Sequence, residues 1–154
     1  MKTKSYAELQ SLFIQPDKTE ARIAFGNPPG MPTFDEAKVV VYGVPFDDSS
    51  TFGKGSDKGP EAIRNVSARQ IETFVVDENI DVYEKVKIFD LGDFVFREKL
   101  SDKERAELFN EDTPEELRKK LAEKLKRVLK QFDALKEVTA FIRSQGKIPL
   151  MIGG

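Results

Sequence analysis

Two adjacent carboxylates, Asp47 and Asp48, follow the apolar run Val39-Val-Val-Tyr-Gly-Val44. At the end of a buried strand, paired carboxylates offer hard oxygen donors to a divalent cation or a two-pronged acceptor to a guanidinium. A solvated turn is the competing reading of the same two residues. A second pair, Asp90 and Asp93, ends the run Val86-Lys-Ile-Phe-Asp-Leu91. Two carboxylates without a metal or a third group define no reaction, so these are read as strand-terminating residues. Arg64 falls inside an expected helix, where a structural ion pair competes with a contact to substrate or a neighbouring subunit. The chain contains no His and no Cys, which removes imidazole as a base or ligand and excludes thiolate sites and disulfides. Tyr42, Phe46, Phe52 and Phe74 read as packing residues rather than ligand stackers.

Gly53-Lys54-Gly55 and Lys58-Gly59 invite a phosphate-loop reading. The P-loop requires Gly-Lys followed by Ser or Thr, and the dinucleotide fingerprint requires its third glycine three residues after its second. Lys54 is followed by Gly55 and position 58 is Lys, so neither spacing is met.

The elements that would position these residues follow from pattern. Ser5-Tyr-Ala-Glu8 has capping-box spacing, predicting a short helix over residues 6–12 that ends before Pro16. Residues 17–33, with Gly26-Asn-Pro-Pro-Gly30 and Pro32, predict irregular chain. Residues 39–44, 86–91 and 148–152 are short apolar runs of the kind buried on both faces of a parallel sheet. Between the first two lie a loop rich in Gly, Ser and Asp, expected to be mobile over residues 47–58, and a helix over 60–69 with Pro60 at its first position. Residues 71–76 predict a short extended segment, and Ser101 a short helix. Thr113-Pro-Glu-Glu116 reads as another capping box. From there Leu117, Leu121, Leu125, Val128, Phe132, Leu135, Thr139 and Ile142 form one apolar stripe, predicting a single helix of about nine turns with Gly146 at its end.

The length of 154 residues suits one domain. Lys plus Arg number 25 against 27 Asp plus Glu, a formal charge of −2 with no basic stripe, which gives a nucleic-acid partner no support. No apolar run is long enough to span a bilayer and the first residues are too polar for a signal peptide, so no membrane partner is expected and a cytoplasmic location is. Charged residues make up 34% of the chain, which either a thermophilic source or one long solvated helix would produce.

Gly43-Val-Pro-Phe-Asp47, a spacer, and then Gly59-Pro-Glu-Ala-Ile-Arg64 with Ser67 resemble the pattern of the agmatinase branch of the ureohydrolases, the arginase superfamily. Ile88-Phe-Asp-Leu-Gly-Asp93 resembles that family's Asp-x-Gly-Asp strand end, and Ile71-Glu-Thr-Phe74 an agmatinase Leu-Glu-Thr-Tyr segment. The closing Ile148-Pro-Leu-Met-Ile-Gly-Gly154 resembles the strand that continues in the family as Gly-Gly-Asp-His, its first metal motif. Where agmatinases show an Arg-Pro-Gly-x-Arg core in the loop, this chain has Gly53-Lys-Gly-Ser-Asp57.

The resemblance implies an α/β fold, specifically an incomplete three-layer arginase-like domain with a mainly parallel sheet flanked by helices. Residues 1–37 would form an N-terminal helix and irregular arm, and 38–154 the N-terminal part of a truncated ureohydrolase-like domain. It implies a parent enzyme that hydrolyses a guanidino C–N bond, agmatine to putrescine and urea, with two Mn²⁺ whose ligands all lie in motifs beyond Gly154. No catalytic or metal residue is therefore carried onto this chain, and none of that metal is expected in the chain alone. The family's loop lies near the site entrance and supplies no metal ligand, which makes Phe46, Asp47, Asp48, Thr51 and Gly55 candidates for a substrate loop. Partners implied are a small guanidino substrate and further copies of the chain. The alternative is a truncated or degenerate, non-catalytic module that acts by self-association or through a partner chain.

Overall fold

The computed structural model describes residues 5–17, 23–28, 30–50 and 53–153. Thr51, Phe52 and Gly154, together with residues 18–22 and Pro29 of the expected irregular stretch, lie outside the described residues. The elements run α1 Tyr6–Gln10, β1 Phe13–Ile14, β2 Val39–Val44, a 3₁₀ turn at Ser56–Lys58, α2 Gly59–Gln70, β3 Phe74–Val75, β4 Ile80–Asp81, α3 Val82–Val86, β5 Ile88–Phe94, α4 Asp102–Phe109, α5 Glu115–Lys130, α6 Phe132–Ser144 and β6 Ile148–Gly153.

The main sheet has strand order β1-β5-β2-β6. The three apolar runs lie in one sheet and pair in parallel, as predicted; β2 is central, with β5 on one side and β6 on the other. Burial explains why β2 is so uniformly apolar. Val40, Tyr42 and Val44 join the core with Val128, Leu135, Val138 and Ile142 of α5 and α6. On the opposite face, a Cβ placed on Gly43 would meet Pro60 of α2 at 2.9 Å and the Asp93 carboxylate. The sheet thus carries α2 on one face and α5–α6 on the other, the layering of an α/β domain.

Several expectations need correction. β5 starts at Ile88 rather than Val86, because Val86 closes α3 and Lys87 turns the chain at φ 48°. It also runs through Gly92 instead of stopping there. β1, which has no counterpart in the sequence reading, pairs antiparallel with its last residues, Phe13 opposite Phe94 and Ile14 opposite Asp93. At that point Gly92 holds φ 92°, and an added Cβ would sit 2.0 Å from the Ile14 carbonyl oxygen. The nine-turn helix is two helices, α5 and α6, meeting at Gln131. The Gln131 side chain accepts from Arg97 N at 2.7 Å and donates to Glu98 O at 2.8 Å, so it turns toward the preceding loop where the ladder breaks. The apolar stripe continues across the break. Thr113 provides no cap, since Pro114 itself is the extended residue at the N-cap and α5 starts at Glu115. α2 likewise begins one residue early, at Gly59.

Other local readings match in kind, although α1 stops at Gln10 rather than residue 12. Ser5 and Glu8 form the full capping box of α1, as do Ser101 and Glu104 for α4. Gly146 follows α6 at φ 70°, the left-handed conformation that ends a helix cheaply only at glycine. Phe74 departs from its packing assignment and is half exposed on the β3–β4 hairpin. No helix among the described residues is long and apolar enough to cross a membrane.

Candidate functional site

Topology locates the crevice. From β2 the chain goes through α2 to β5 on one side, and from β5 through α4, α5 and α6 to β6 on the other. The first crossover carries the chain to one side of β2 and the second carries it back past β2 to the other, and in open α/β sheets ligands settle outside the carboxyl ends of strands at such a switch point. Here that is the rim formed by Val44, Pro45 and the following loop, with Gly153 at the end of β6. The first turn of α2 lies across the same edge, close enough that a Cβ on Gly59 would stand 3.3 Å from Gly153 O. A groove beside the rim is walled by Val44, Phe132, Leu135, Thr139, Met151 and Gly153.

The candidate loop residues divide by role. Phe46 is buried, with its ring 4.9 Å from both Phe96 and Phe132, so it anchors the start of the loop in the core. Asp47 and Asp48 are also buried, 7% and 4% exposed, which overturns the solvated-turn reading. Asp47 Oδ2 accepts from Gly55 N at 2.9 Å and so closes the loop on itself, with Lys54 Nζ 3.8 Å from Oδ1. Asp48 Oδ2 accepts from Leu100 N at 2.5 Å. Gly55 is exposed and holds φ 121°, a conformation that L side chains rarely adopt. Of the five candidates, the structure brings Asp47 and Gly55 into direct contact and joins Asp48 to a different segment.

That segment, the approach to α4, was missed by sequence reasoning. Arg105 Nη1 donates to Ser50 O at 2.5 Å and, more weakly, to Asp47 O at 3.4 Å. Lys54 pairs with Asp102, a contact that raises the lysine pKa and lowers the carboxyl's. α4 is fixed in turn by Lys124, whose Nζ reaches both Glu104 carboxylate oxygens at 2.7 Å. That bond, with the Ser101 backbone N–H after it, lowers the Glu104 carboxyl to about 2. The capping box at Ser101 is visible in the sequence, but nothing there links Arg105 to residues 47–50.

Below the rim, Arg64 is the structural ion-pair residue that one of its two readings described. Its Nε and Nη2 bond Asp90 Oδ2 and Oδ1 at 2.8 and 3.0 Å, and Nη1 bonds Asp93 Oδ1 at 2.6 Å. Burial pulls its pKa down, but the bonds and charges of Asp90 and Asp93 together outweigh it and the net shift is upward. Asp90 and Asp93 therefore fasten α2 to β5 rather than only ending a strand.

The Arginase family model matches residues 37–154. The chain belongs to the arginase family. An agmatinase from Bacillus cereus is 43% identical over 63 residues, covering 40% of this chain and 21% of its own length. One from Pyrococcus horikoshii is 32% identical over 74 residues, covering 47% of this chain and 25% of its own. Among solved structures, the agmatine ureohydrolase of Thermoplasma volcanium superposes on 94% of this chain with a TM-score of 0.50 and 25% identity. A Trypanosoma cruzi formiminoglutamase solved with Mn²⁺ superposes on 85% with a TM-score of 0.52; at 20% identity it supports the fold alone. The arginase-family chain described here spans 36% and 35% of the length of those two structures.

Manganese is the metal to test against these residues, and they do not fit it. Among the described residues no three His, Cys, Asp or Glu side chains converge. The nearest carboxylates, Asp47 and Asp48, are occupied by backbone N–H groups of the loop and of Leu100.

Proposed function

We propose that this arginase-family chain is part of an agmatinase-type ureohydrolase, which adds water across a guanidino C–N bond and releases urea and an amine. The observation that carries the reading is the placement of residues 45–50 and 53–58 and the first turn of α2 at the carboxyl ends of β2 and β6, in a chain whose relatives include agmatinases. In this reading Phe46, Asp47, Asp48 and Gly55 shape and hold the rim that a small guanidino substrate passes. Thr51 belongs to the same loop on sequence grounds. The two Mn²⁺ of such an enzyme, and the step they catalyse, are assigned to no residue of these 154.

The test is urea release from agmatine in the presence of Mn²⁺, with retained metal measured after dialysis. The 154 residues alone are expected to release no urea and to keep less than one equivalent of Mn²⁺, whereas the same residues within a longer natural chain are expected to do both. Turnover by the 154 residues would overturn the assignment of the chemistry outside them. A longer chain that leaves agmatine intact would overturn the substrate.

One observation favours a second reading, a non-catalytic module that acts by pairing. β6 is a sheet edge among the described residues, with Ile148 63% and Met151 57% exposed and Leu150 partly so, and an open apolar edge is a template for another strand. Sedimentation of the 154 residues would show a concentration-dependent dimer abolished by Leu150→Lys on this reading. A monomer at all concentrations would dismiss it.

A further inference from the structure

We propose that Arg105 of α4 is a positioning residue that fixes the rim of the substrate crevice by clamping the carbonyl groups of the loop after β2. The inference rests on the ureohydrolase reading for its substrate but stands on geometry of its own.

Beyond Phe46, the described loop residues have little apolar surface to bury, and Gly53 and Gly55 leave the backbone free. Past that anchor, order must come from polar fastening, which α4 and its approach supply. Arg105 Nη1 reaches two carbonyls on the same turn, those of Asp47 and Ser50, while Ser50 N closes that turn on Asp47 O at 3.0 Å. A guanidinium is suited to this because several donors lie on one rigid plane. The Leu100 N–H to Asp48 bond and the Lys54–Asp102 pair act on either side of it, but Lys54 and Asp102 are exposed enough for water to compete. Arg105 is partly buried and its acceptors are backbone atoms, so it sets where the chain runs rather than what the side chains do. α4 does not float, because Lys124 holds Glu104 one residue before Arg105. The line of force runs from α5 through α4 to the rim, and a change in α4 would reshape the entrance without touching β2.

The experiment has two arms. In the first, hydrogen exchange is followed in the 154-residue protein with Arg105→Ala, Arg105→Lys and, as a control on the same helix, Lys103→Ala. Losing a charged donor should speed exchange of residues 47–50 and 53–57 by roughly 10- to 100-fold, leave Val39–Val44 as protected as before, and be partly rescued by lysine. Unchanged loop exchange in Arg105→Ala, or an equal effect from Lys103→Ala, overturns the clamp. In the second arm the same variants are placed in a longer chain that contains these residues and assayed for urea release from agmatine. The expected result is a KM raised several-fold with kcat within about two-fold, because a misplaced rim weakens capture more than chemistry. A kcat that falls with KM unchanged overturns the entrance role. No urea from the unsubstituted longer chain would overturn the ureohydrolase reading instead, and the exchange result then decides the loop clamp by itself.

Discussion

Arg64 and Asp90 form a two-bond pair in which every carboxylate lone pair that matters is used. Asp90 Oδ2 accepts from Arg64 Nε and from Phe25 N, both at 2.8 Å, and Oδ1 accepts from Arg64 Nη2 at 3.0 Å and Gly92 N at 2.9 Å. One side chain of β5 thereby holds α2, the chain at residue 25, and its own strand at the residue where β1 crosses. Both partners are almost completely buried.

Removing one partner of such a pair leaves the other charge buried without compensation, a loss of about 3–5 kcal/mol. Arg64→Met should lower the urea midpoint accordingly, with Asp90→Asn costing a comparable amount. The double variant should lose less than the sum, because the two changes remove one interaction. Additive losses would show that the pair is not coupled.

Gly92 should tolerate no side chain. Its φ of 92° and the 2.0 Å approach to Ile14 O leave a methyl group nowhere to go, since the neighbour is backbone. Gly92→Ala is expected to cost at least about 1–2 kcal/mol from the left-handed backbone alone and to detach β1 as well. Proteolysis should then cut near residues 13–16 more readily. Gly30→Ala, with no atom within 4 Å of the added Cβ, is the control and should unfold like the parent.

The break at Gln131 makes a separate claim. Its side chain ties residues 97 and 98 to the α5–α6 junction, so Gln131→Ala should loosen that loop while the stripe of Val128, Leu135 and Val138 keeps both helices in place. The expected signature is faster hydrogen exchange at Arg97 with helical circular dichroism unchanged. A loss of helix content would mean that Gln131 supports the helices themselves.

What the sequence made legible was whatever depends on one segment at a time. The runs at 39–44, 86–91 and 148–152 announce parallel strands, and all three pair in one sheet, but β6 is not buried as the run 148–152 implied, because it is an edge among the described residues and leaves Ile148, Leu150 and Met151 exposed. The Ser5–Glu8 capping box and the helix that follows Ser101 are likewise local features. Illegible were the features that join distant segments. β1 is two residues long and exists because Gly92 lets it approach β5. The helix break answers to residues 97 and 98, outside the period-3.6 stripe. Asp47 and Asp48 looked solvated because polarity in a Gly- and Ser-rich stretch normally means water. Their actual partners are backbone N–H groups at residues 55 and 100, which no pattern of side chains reveals. The rim was thus legible as a place, while the fastening that gives it shape was not.

Tyr83 contributes a pH dependence on the alkaline side. Its hydroxyl donates to Phe25 O at 2.5 Å, and burial first, with the nearby Asp90 charge second, pushes its pKa up from 10.0 to about 12. A phenol whose folded pKa lies above its unfolded value favours the folded state while it stays protonated. That contribution is complete below pH 10 and is lost as pH rises toward 12, because the unfolded chain releases the proton first. Tyr83→Phe removes both the donor and the titration. The variant should be less stable than the parent at pH 8, where the bond to Phe25 is missing, and the gap should narrow steadily between pH 10 and 12 as the parent loses its advantage. Urea midpoints measured in parallel across that range isolate the effect, since the lysines and the other tyrosines titrate alike in both proteins. A gap that stays constant from pH 8 to 12 would mean that Tyr83 ionises as freely in the folded chain as in the unfolded one, and that its contact with Phe25 does not tie α3 to the chain at residue 25.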